Sequence, residues 1–239
     1  MDVLSWNLFH GRSLPATRHA LLDEFAERLA AWRWDVALLQ EVPPWWPAEL
    51  ASRADAEQRI ALTSRNSLLA LRRLLAERRP ELLKSNGGGC NAILSRIPIA
   101  EHRSIRLRIR PERRVAQLVR LADGRCLANY HASTRVPLAE NELARLWQHA
   151  LDFARGAPLV LGGDLNLRSP VAPAAVDDVA HVGARDVDHL FARRAGAASE
   201  AEVLDRDAQL RDGRNVELSD HSPLRVRLSP LAATRARRF

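Results

Sequence analysis

The strongest constraint on the fold is a set of short apolar runs, each stopping at or near one polar side chain. Asp2-Val3-Leu4-Ser5-Trp6-Asn7 alternates into Asn7, and Asp35-Val36-Ala37-Leu38-Leu39-Gln40-Glu41 reads as a buried strand that halts at a carboxylate before Pro43-Pro44. Arg125 to Tyr130 leads into His131, the run from Pro158 meets Gly162-Gly163-Asp164-Leu165-Asn166, and Asp186-Val187-Asp188-His189-Leu190-Phe191 carries Asp188. Delivering ionisable groups at strand ends is how α/β enzymes build sites. Near the end of the chain, Ser219-Asp220-His221-Ser222-Pro223 puts a carboxylate beside an imidazole that it could orient. Asp164 and Asn166, two apart, project to the same side of an extended segment. Taken singly these features are ordinary: Asn7 could cap a turn, Glu41 could be a solvated strand end, and Asp164 with Asn166 could form an Asx-turn.

The segments between the runs give the organisation. Pro15 can open a helix through Leu21, Leu22, Phe25 and Leu29, whose spacing makes one apolar stripe. Residues 48 to 79 show no alternation and predict one or two helices. Lys84-Ser85-Asn86-Gly87-Gly88-Gly89 reads as a flexible loop, and Asn91 to Ser95 as a strand. Ile105, Leu107 and Ile109 alternate with Arg106, Arg108 and Arg110, a half-buried strand. Val115 to Leu121 pairs with Cys126 to Tyr130 across Ala122-Asp123-Gly124-Arg125, and Leu138 to Phe153 predicts an amphipathic helix. With 239 residues, 46% of them hydrophobic, the chain can bury a full core. We expect one domain over 1–229, followed by a basic, flexible tail, 230–239. No apolar stretch approaches the roughly 20 residues of a membrane span, and the N-terminus enters a strand directly, so a cytoplasmic protein is expected. Cys90 and Cys126, outside any metal-ligand spacing, read as free thiols. No oligomerisation heptad is evident, and a monomer is the default.

Seven segments in order carry a resemblance: Trp6-Asn7, Leu39-Gln40-Glu41, Asn91-Ala92-Ile93-Leu94-Ser95-Arg96, the strand ending in His131, Gly163-Asp164-Leu165-Asn166, Val187-Asp188-His189, and Ser219-Asp220-His221. Together they resemble the endonuclease/exonuclease/phosphatase superfamily, which includes deoxyribonuclease I, exonuclease III, inositol-polyphosphate phosphatases and neutral sphingomyelinases. The resemblance implies a four-layer α/β/β/α sandwich, two mixed sheets flanked by helices, with the site at one end of the sheets. It assigns Glu41 as principal metal ligand, Asn7 as a second and Asp220 as a third. His131 resembles the histidine-bearing, deoxyribonuclease I-like branch; abasic-site endonucleases carry a tyrosine in this strand, and alternation turns Tyr130 to the other face. That branch holds nucleases, phosphatases and sphingomyelinases alike.

Charge sharpens the chemistry. If Glu41, Asp164, Asp188 and Asp220 share a cleft, each repulsion felt by a phosphate at about 4 Å is of order 4 kcal/mol at an effective dielectric of 20. Such a site needs a cation, and its oxygen-rich donors favour Mg²⁺ or Mn²⁺ over zinc. On this reading Asp164 positions or deprotonates water, Asn166 donates a hydrogen bond, His221 held by Asp220 stabilises phosphorane-like charge or helps activate the water, His131 protonates the leaving oxygen, and Asp188 supports the network. The two histidine roles are interchangeable at this level. Asn91, standing where relatives pair a glutamate with the histidine, and Arg12, placed to contact phosphate, are the candidate substrate-binding residues. The net charge of +7 fits a polyanionic phosphoester such as DNA or RNA, although the basic residues other than Lys84 are arginines, a bias that genome composition also produces. Trp45 and Trp46 could stack a base, touch a lipid headgroup, or pack over a sheet edge. A phosphatase, a lipid phosphodiesterase, or a non-catalytic sandwich that binds nucleic acid are the alternatives.

Overall fold

A computed structural model describes residues 1–63, 66–78 and 89–229. The strands are β1 (Asp2–Asn7), β2 (Ser13–Leu14), β3 (Val36–Val42), β4 (Glu57–Leu62), β5 (Cys90–Ser95), β6 (Ile99–Arg108), β7 (Arg114–Leu121), β8 (Cys126–His131), β9 (Leu159–Asp164), β10 (Val179–Arg185), β11 (Asp188–Arg193), β12 (Glu202–Val203), β13 (Asp207–Gln209), β14 (Asn215–Leu218) and β15 (Leu224–Arg227). The helices are α1 (Leu22–Ala31), α2 (Pro47–Arg53), α3 (Leu69–Arg78) and α4 (Val136–Ala154), with a 3₁₀ turn at Phe9–Gly11.

Two six-stranded sheets, ordered β12-β15-β1-β3-β5-β4 and β10-β11-β9-β8-β7-β6, face each other, and β13-β14-β2 form a small third sheet. Strand alternation explains the layering. In β1 and β3, Val3, Val36 and Leu38 turn inward to meet Val119, Leu127, Val160 and Leu190 of the other sheet. Leu4, Trp6, Ala37 and Leu39 turn outward and pack with Phe25 and Leu29 of α1 and Leu50 of α2. On the far side, Leu143, Leu146, Trp147 and Phe153 of α4 cover Ala128, Tyr130 and Leu161. The result is the expected α/β/β/α sandwich.

Three expectations are corrected. α1 begins at Leu22, well past Pro15. Residues 48 to 79 hold a strand as well as helices: β4 pairs along β5, yet its Ile60 and Leu62 are exposed and only Ala61 is buried. An edge strand held by its ladder leaves no hydrophobic alternation to read. Ile109 lies beyond the end of β6 and is 63% exposed. Cys90 and Cys126 are free and buried. Among the described residues no helix is long and apolar enough to cross a membrane. The tail 230–239 and most of the Lys84–Gly89 loop lie outside the described residues.

Both sheets point the same ends toward one region. β1 and β3 run parallel with Asn7 opposite Gln40, and β8 and β9 run parallel with His131 opposite Asp164. β11 runs antiparallel to β9, so its first residue, Asp188, also faces Asp164. A buried polar tie lies beneath: Gln40 Nε2 donates to Asn129 Oδ1 at 2.8 Å, while Asn129 Nδ2 donates to the carbonyls of Leu39 and Ala92 at 3.0 Å. These bonds cross between sheets and fix their relative position under the strand ends.

Candidate active site

Six side chains form a continuous row of alternating imidazoles and carboxylates. His10 Nε2 lies 3.1 Å from Glu41 Oε2, and Glu41 Oε1 lies 3.9 Å from His131 Nε2. His131 Nε2 is 3.4 Å from Asp164 Oδ2, which is 3.8 Å from His221 Nε2. His221 Nδ1 closes the row on Asp188 Oδ2 at 2.6 Å.

Local backbone devices aim each member. β3 slips register against β5 between Leu39 and Val42, and Glu41 takes φ 51. A bulge beside a site re-aims a side chain, at a left-handed cost of about 1–2 kcal/mol for a non-glycine residue. Asp164 is fixed from both sides: Asn7 Nδ2 donates to Oδ2 at 2.9 Å and the Asn166 amide N–H donates to Oδ1 at 3.1 Å. Asn166 Nδ2 itself donates to the Ala132 carbonyl at 3.0 Å. The Asx-turn anticipated as an ordinary reading is therefore present, and the same carboxylate also faces the cleft. Gly163 makes this approach feasible, since a Cβ there would stand 2.0 Å from the Tyr130 carbonyl oxygen. His221 is held by β1: the Trp6 indole N–H donates to the His221 carbonyl at 3.0 Å, and Ser219 Oγ donates to the Asn7 carbonyl at 2.6 Å while accepting the His221 N–H.

Two sequence expectations change. Asp220 does not clasp His221 through Nδ1; Asp188 does, and Asp220 Oδ1 is 3.9 Å from Nε2 with its side chain 39% exposed. The chain bends through 219–221, with Ser219 at φ 71, and adjacency in sequence does not bring the Asp220 carboxylate to Nδ1. Asn91 does not present to substrate: it is fully buried and its Nδ2 donates to the Val115 carbonyl at 2.8 Å, tying the sheets together. Of the tryptophans, Trp46 packs against Phe25 in the core, and Trp45 lines the same cluster. Arg12 stacks its guanidinium 3.9 Å over the Phe9 ring, within the electrostatic reach of Glu41 and Asp220.

Three residues escaped the sequence reading, and a fourth, His189, entered it only within the Val187-Asp188-His189 segment. His10 follows Asn7 by three positions but owes its placement to consecutive left-handed conformations at Phe9, His10 and Gly11. Arg114, only 7% exposed at the start of β7, bonds Glu112 and imposes its charge on Glu41 and His131. Glu142 is fully buried in α4, where it accepts from Tyr130 OH, Ser133 N–H and Ser133 Oγ and pairs with Arg108, fixing the segment after His131. His189 bonds the Leu167 carbonyl at 2.7 Å and His181 at 3.0 Å, pinning the chain beyond Asn166. A buried glutamate in the apolar stripe of α4 was the one readable signal.

The electrostatics follow from burial and crowding. Burial, reinforced by Asp164 and Asp220, pushes Glu41 up to about 7. Burial likewise raises Asp164 and Asp188. His131 is driven well below its ordinary value by burial and by the charges of Arg114, His10 and His221. Burial opposes charge on His221 too, but the Asp188 hydrogen bond and the fields of Asp188, Asp164 and Asp220 outweigh it and carry His221 up to about 9. Among the described residues no three His, Cys, Asp or Glu side chains form a metal cage. Mg²⁺-type ions seldom need one, since they keep several waters and take one or two carboxylates plus substrate oxygens.

The sequence matches the Endonuclease/Exonuclease/phosphatase family over residues 4–221. Among solved structures it is similar to an endonuclease/exonuclease/phosphatase from Beutenbergia cavernae DSM 12333, at 20% identity and TM-score 0.64 over 97% of this chain and 72% of that one. It is also similar to a mannosyl-6-phosphatase from Bacteroides thetaiotaomicron VPI-5482, at 14% identity and TM-score 0.67 over 96% and 99%. A third similar structure is TDP2 from C. elegans, at 16% identity and TM-score 0.64 over 94% and 74%. A search of curated proteins finds no match. From its first strand to the histidine that closes the row of site residues, the chain belongs to the endonuclease/exonuclease/phosphatase family.

Proposed function

We propose that the protein is a divalent-metal-dependent phosphodiesterase, most simply a nuclease, that cleaves its substrate by in-line attack of water on phosphorus. The observation that carries this reading is the unbroken row from His10 to Asp188, in which three carboxylates and three imidazoles line one end of both sheets. The donor chemistry fits a hard dication: burial first, then the fields of Asp164 and Asp220, raise Glu41, and a bound cation would offset both. Glu41 would hold the ion, with Asp220 and the remaining lone pair of Asn7 Oδ1 as further oxygen donors; the bound ion would offset the repulsion of phosphate and neutralise charge growing on its oxygens.

The chain's own groups do the rest. Asp164, raised toward neutrality by burial, takes the proton of the attacking water while Asn7 and Asn166 hold its two oxygens in place. His221 carries its proton at neutral pH, stabilises negative charge through Nε2 and gives that proton to the leaving oxygen, with Asp188 securing the opposite ring nitrogen. His131, kept neutral, lies between Glu41 and Asp164. This assignment exchanges the two histidine roles first anticipated. Arg12 and Arg114 supply positive charge for phosphate oxygens at the edges of the row. Free, buried cysteines agree with a reducing, cytoplasmic setting, and the proposal takes 1–229 as one monomeric domain.

The test is a panel of plasmid DNA, single-stranded DNA, RNA, bis(p-nitrophenyl) phosphate, p-nitrophenyl phosphate, phosphoinositides and sphingomyelin, with Mg²⁺, Mn²⁺ or chelator. Diester turnover that vanishes with chelator and in Asp164→Asn and His221→Ala, with melting temperature retained, is expected. Turnover of phosphomonoesters alone would move the reading to a phosphatase, the activity named for the similar Bacteroides structure. Tight metal-independent binding of nucleic acid with no turnover would overturn it in favour of a binding protein.

A further inference from the structure

The ion preference expected from sequence rests on an oxygen-rich set of donors. The structure puts an imidazole against each oxygen of Glu41: His10 Nε2 at 3.1 Å from Oε2 and His131 Nε2 at 3.9 Å from Oε1. The closer contact has an unusual construction. Phe9, His10 and Gly11 take φ 49, 55 and 76 in succession, a sharp reversal immediately after β1. The reversal is pinned at both ends. Phe9 N–H donates to Asn7 Oδ1 at 2.9 Å, Gly11 N–H donates to the Leu8 carbonyl at 2.7 Å, and Leu8 N–H donates to the Gln40 carbonyl at 2.9 Å.

Gly11 clears the space this reversal needs, and Gly89 borders the ring it delivers. A Cβ on Gly11 would fall 2.3 Å from the Trp46 ring, so that position accepts nothing larger. A Cβ on Gly89 would come within 3.4 Å of the His10 ring, so the ring rests against bare backbone on one side and Glu41 on the other. The imidazole is thus delivered to the carboxylate by covalent neighbours of Asn7 and packed so that it stays there.

The separation itself is informative. An N–H···O hydrogen bond spans about 2.7–3.2 Å. Two donors bound side by side to one first-row dication, with bonds of roughly 2.1–2.2 Å at right angles, stand about 3.0 Å apart. At 3.1 Å the His10–Glu41 distance suits either arrangement, so the two groups would share an ion without having to move apart. We propose that His10, through Nε2, is a ligand of the dication held at Glu41, and that it turns the preference of the site from Mg²⁺ toward nitrogen-accepting ions such as Mn²⁺ and Co²⁺. The inference rests on the ion site of the proposed function and adds to it the residue that selects the ion. Mg²⁺ takes oxygen donors almost exclusively, whereas imidazole is a good donor to the later first-row ions.

The experiment uses the full chain, Mn²⁺ and Mg²⁺. Pulsed electron paramagnetic resonance of the Mn²⁺-loaded protein is expected to show the nitrogen modulation of a bound imidazole, and to change to the ¹⁵N pattern in protein labelled with ¹⁵N-histidine. His10→Gln should remove the modulation and weaken Mn²⁺ at least tenfold while changing Mg²⁺ affinity less than threefold; His131→Gln should leave the modulation in place. His10→Asp should narrow the gap by tightening Mg²⁺. Labelled wild-type protein that shows no histidine nitrogen coupling overturns the inference without any variant having to fold, as does a modulation that survives in folded His10→Gln. Glu41→Gln separates the two levels: Mn²⁺ binding that persists unchanged there removes the ion site itself, whereas binding lost in Glu41→Gln but indifferent to His10 removes only the ligand assigned here.

Discussion

Replacing Asp188 with asparagine tests the electrostatic reading most directly, because it keeps the shape of the group that touches His221 and removes its charge. Nδ1–H of His221 can still donate to an asparagine carbonyl at the position of Asp188 Oδ2, 2.6 Å away. His221 stands at about 9 against an ordinary 6.5. At about 1.4 kcal/mol per pH unit, that displacement is on the order of 3 kcal/mol in favour of the cation. Asp188 supplies the two largest favourable contributions and Asp164 and Asp220 follow; together they overcome burial. One compensation limits the loss. Asp188 is a cause of the raised Asp164, so its removal lets Asp164 ionise more readily and support His221. A fall of about one to two pH units is expected, on the order of 2 kcal/mol. Long-range ¹H–¹⁵N spectra of the imidazole between pH 5 and 10 would read it, and the alkaline limb of the pH–rate profile on a diester should move down with it.

The stability consequence has a definite sign. A histidine whose folded value is raised contributes stability that is complete below pH 6.5 and is lost as pH rises through about 9. In Asp188→Asn the loss should therefore occur about one to two units earlier, so that in urea titrations the variant lags the wild type by a steady amount below about pH 7 and the His221 part of that gap closes as pH rises from 7 to 9. Asp220→Asn is the control and should shift His221 by less than about half a unit. If Asp188→Asn leaves His221 near 9 while Asp220→Asn lowers it, the pairing derived from the structure is wrong.

Other perturbations bear on separate parts of the argument. Gly163→Ala would force a Cβ to 2.0 Å from the Tyr130 carbonyl at φ 132, and should cost about 3 kcal/mol or more in urea unfolding or prevent folding altogether. Glu41 is raised from 4.5 to about 7, so its contribution to apoprotein stability is present below pH 4.5 and lost as pH rises through 7. Glu41→Gln should remove that loss, making the variant more stable than metal-free wild type at pH 8 by about 1–3 kcal/mol, a gain that saturating divalent ion should reverse. Arg114→Met should lower kcat/KM on a phosphodiester by roughly tenfold to a hundredfold with little change in melting temperature, since its Nε has no partner among the described residues and its charge faces Glu41 and His131.

How much of this was legible depended on whether a residue's position follows from its own segment. Asn7, His131 and Asp164 end buried strands, and alternation within each strand already aims them. Glu41 ends its run as well, but the direction of its side chain comes from a bulge and φ 51, which a list of residues does not encode. The Asp188–His221 pair depends on register between β11 and β9 and on the turn at Ser219, so contiguity of Asp220 and His221 suggested the wrong partner. Asn91 looked like a site residue because it sits in a family motif, yet β5 is buried throughout and its amide had to bond across to β7. β4 was invisible because its ladder, and no buried face, holds it.

The opposite charge states of His131 and His221 show what burial alone cannot decide. Both rings lie within 4 Å of Asp164 Oδ2, and burial presses both toward the neutral form. His131 meets positive neighbours, Arg114, His10 and His221, and stays neutral. His221 has a dedicated carboxylate on its far nitrogen and stays charged. Environments that push two similar groups apart mark the proton donor and its uncharged counterpart. The two charges are also linked, because the cation on His221 is itself one cause of neutrality in His131. Removing it should therefore raise His131, and in His221→Ala the His131 imidazole ought to titrate closer to neutrality than it does in the wild type. A His131 value that does not move in that variant would mean that the two histidines act independently and that the division of roles rests on Arg114 and burial alone.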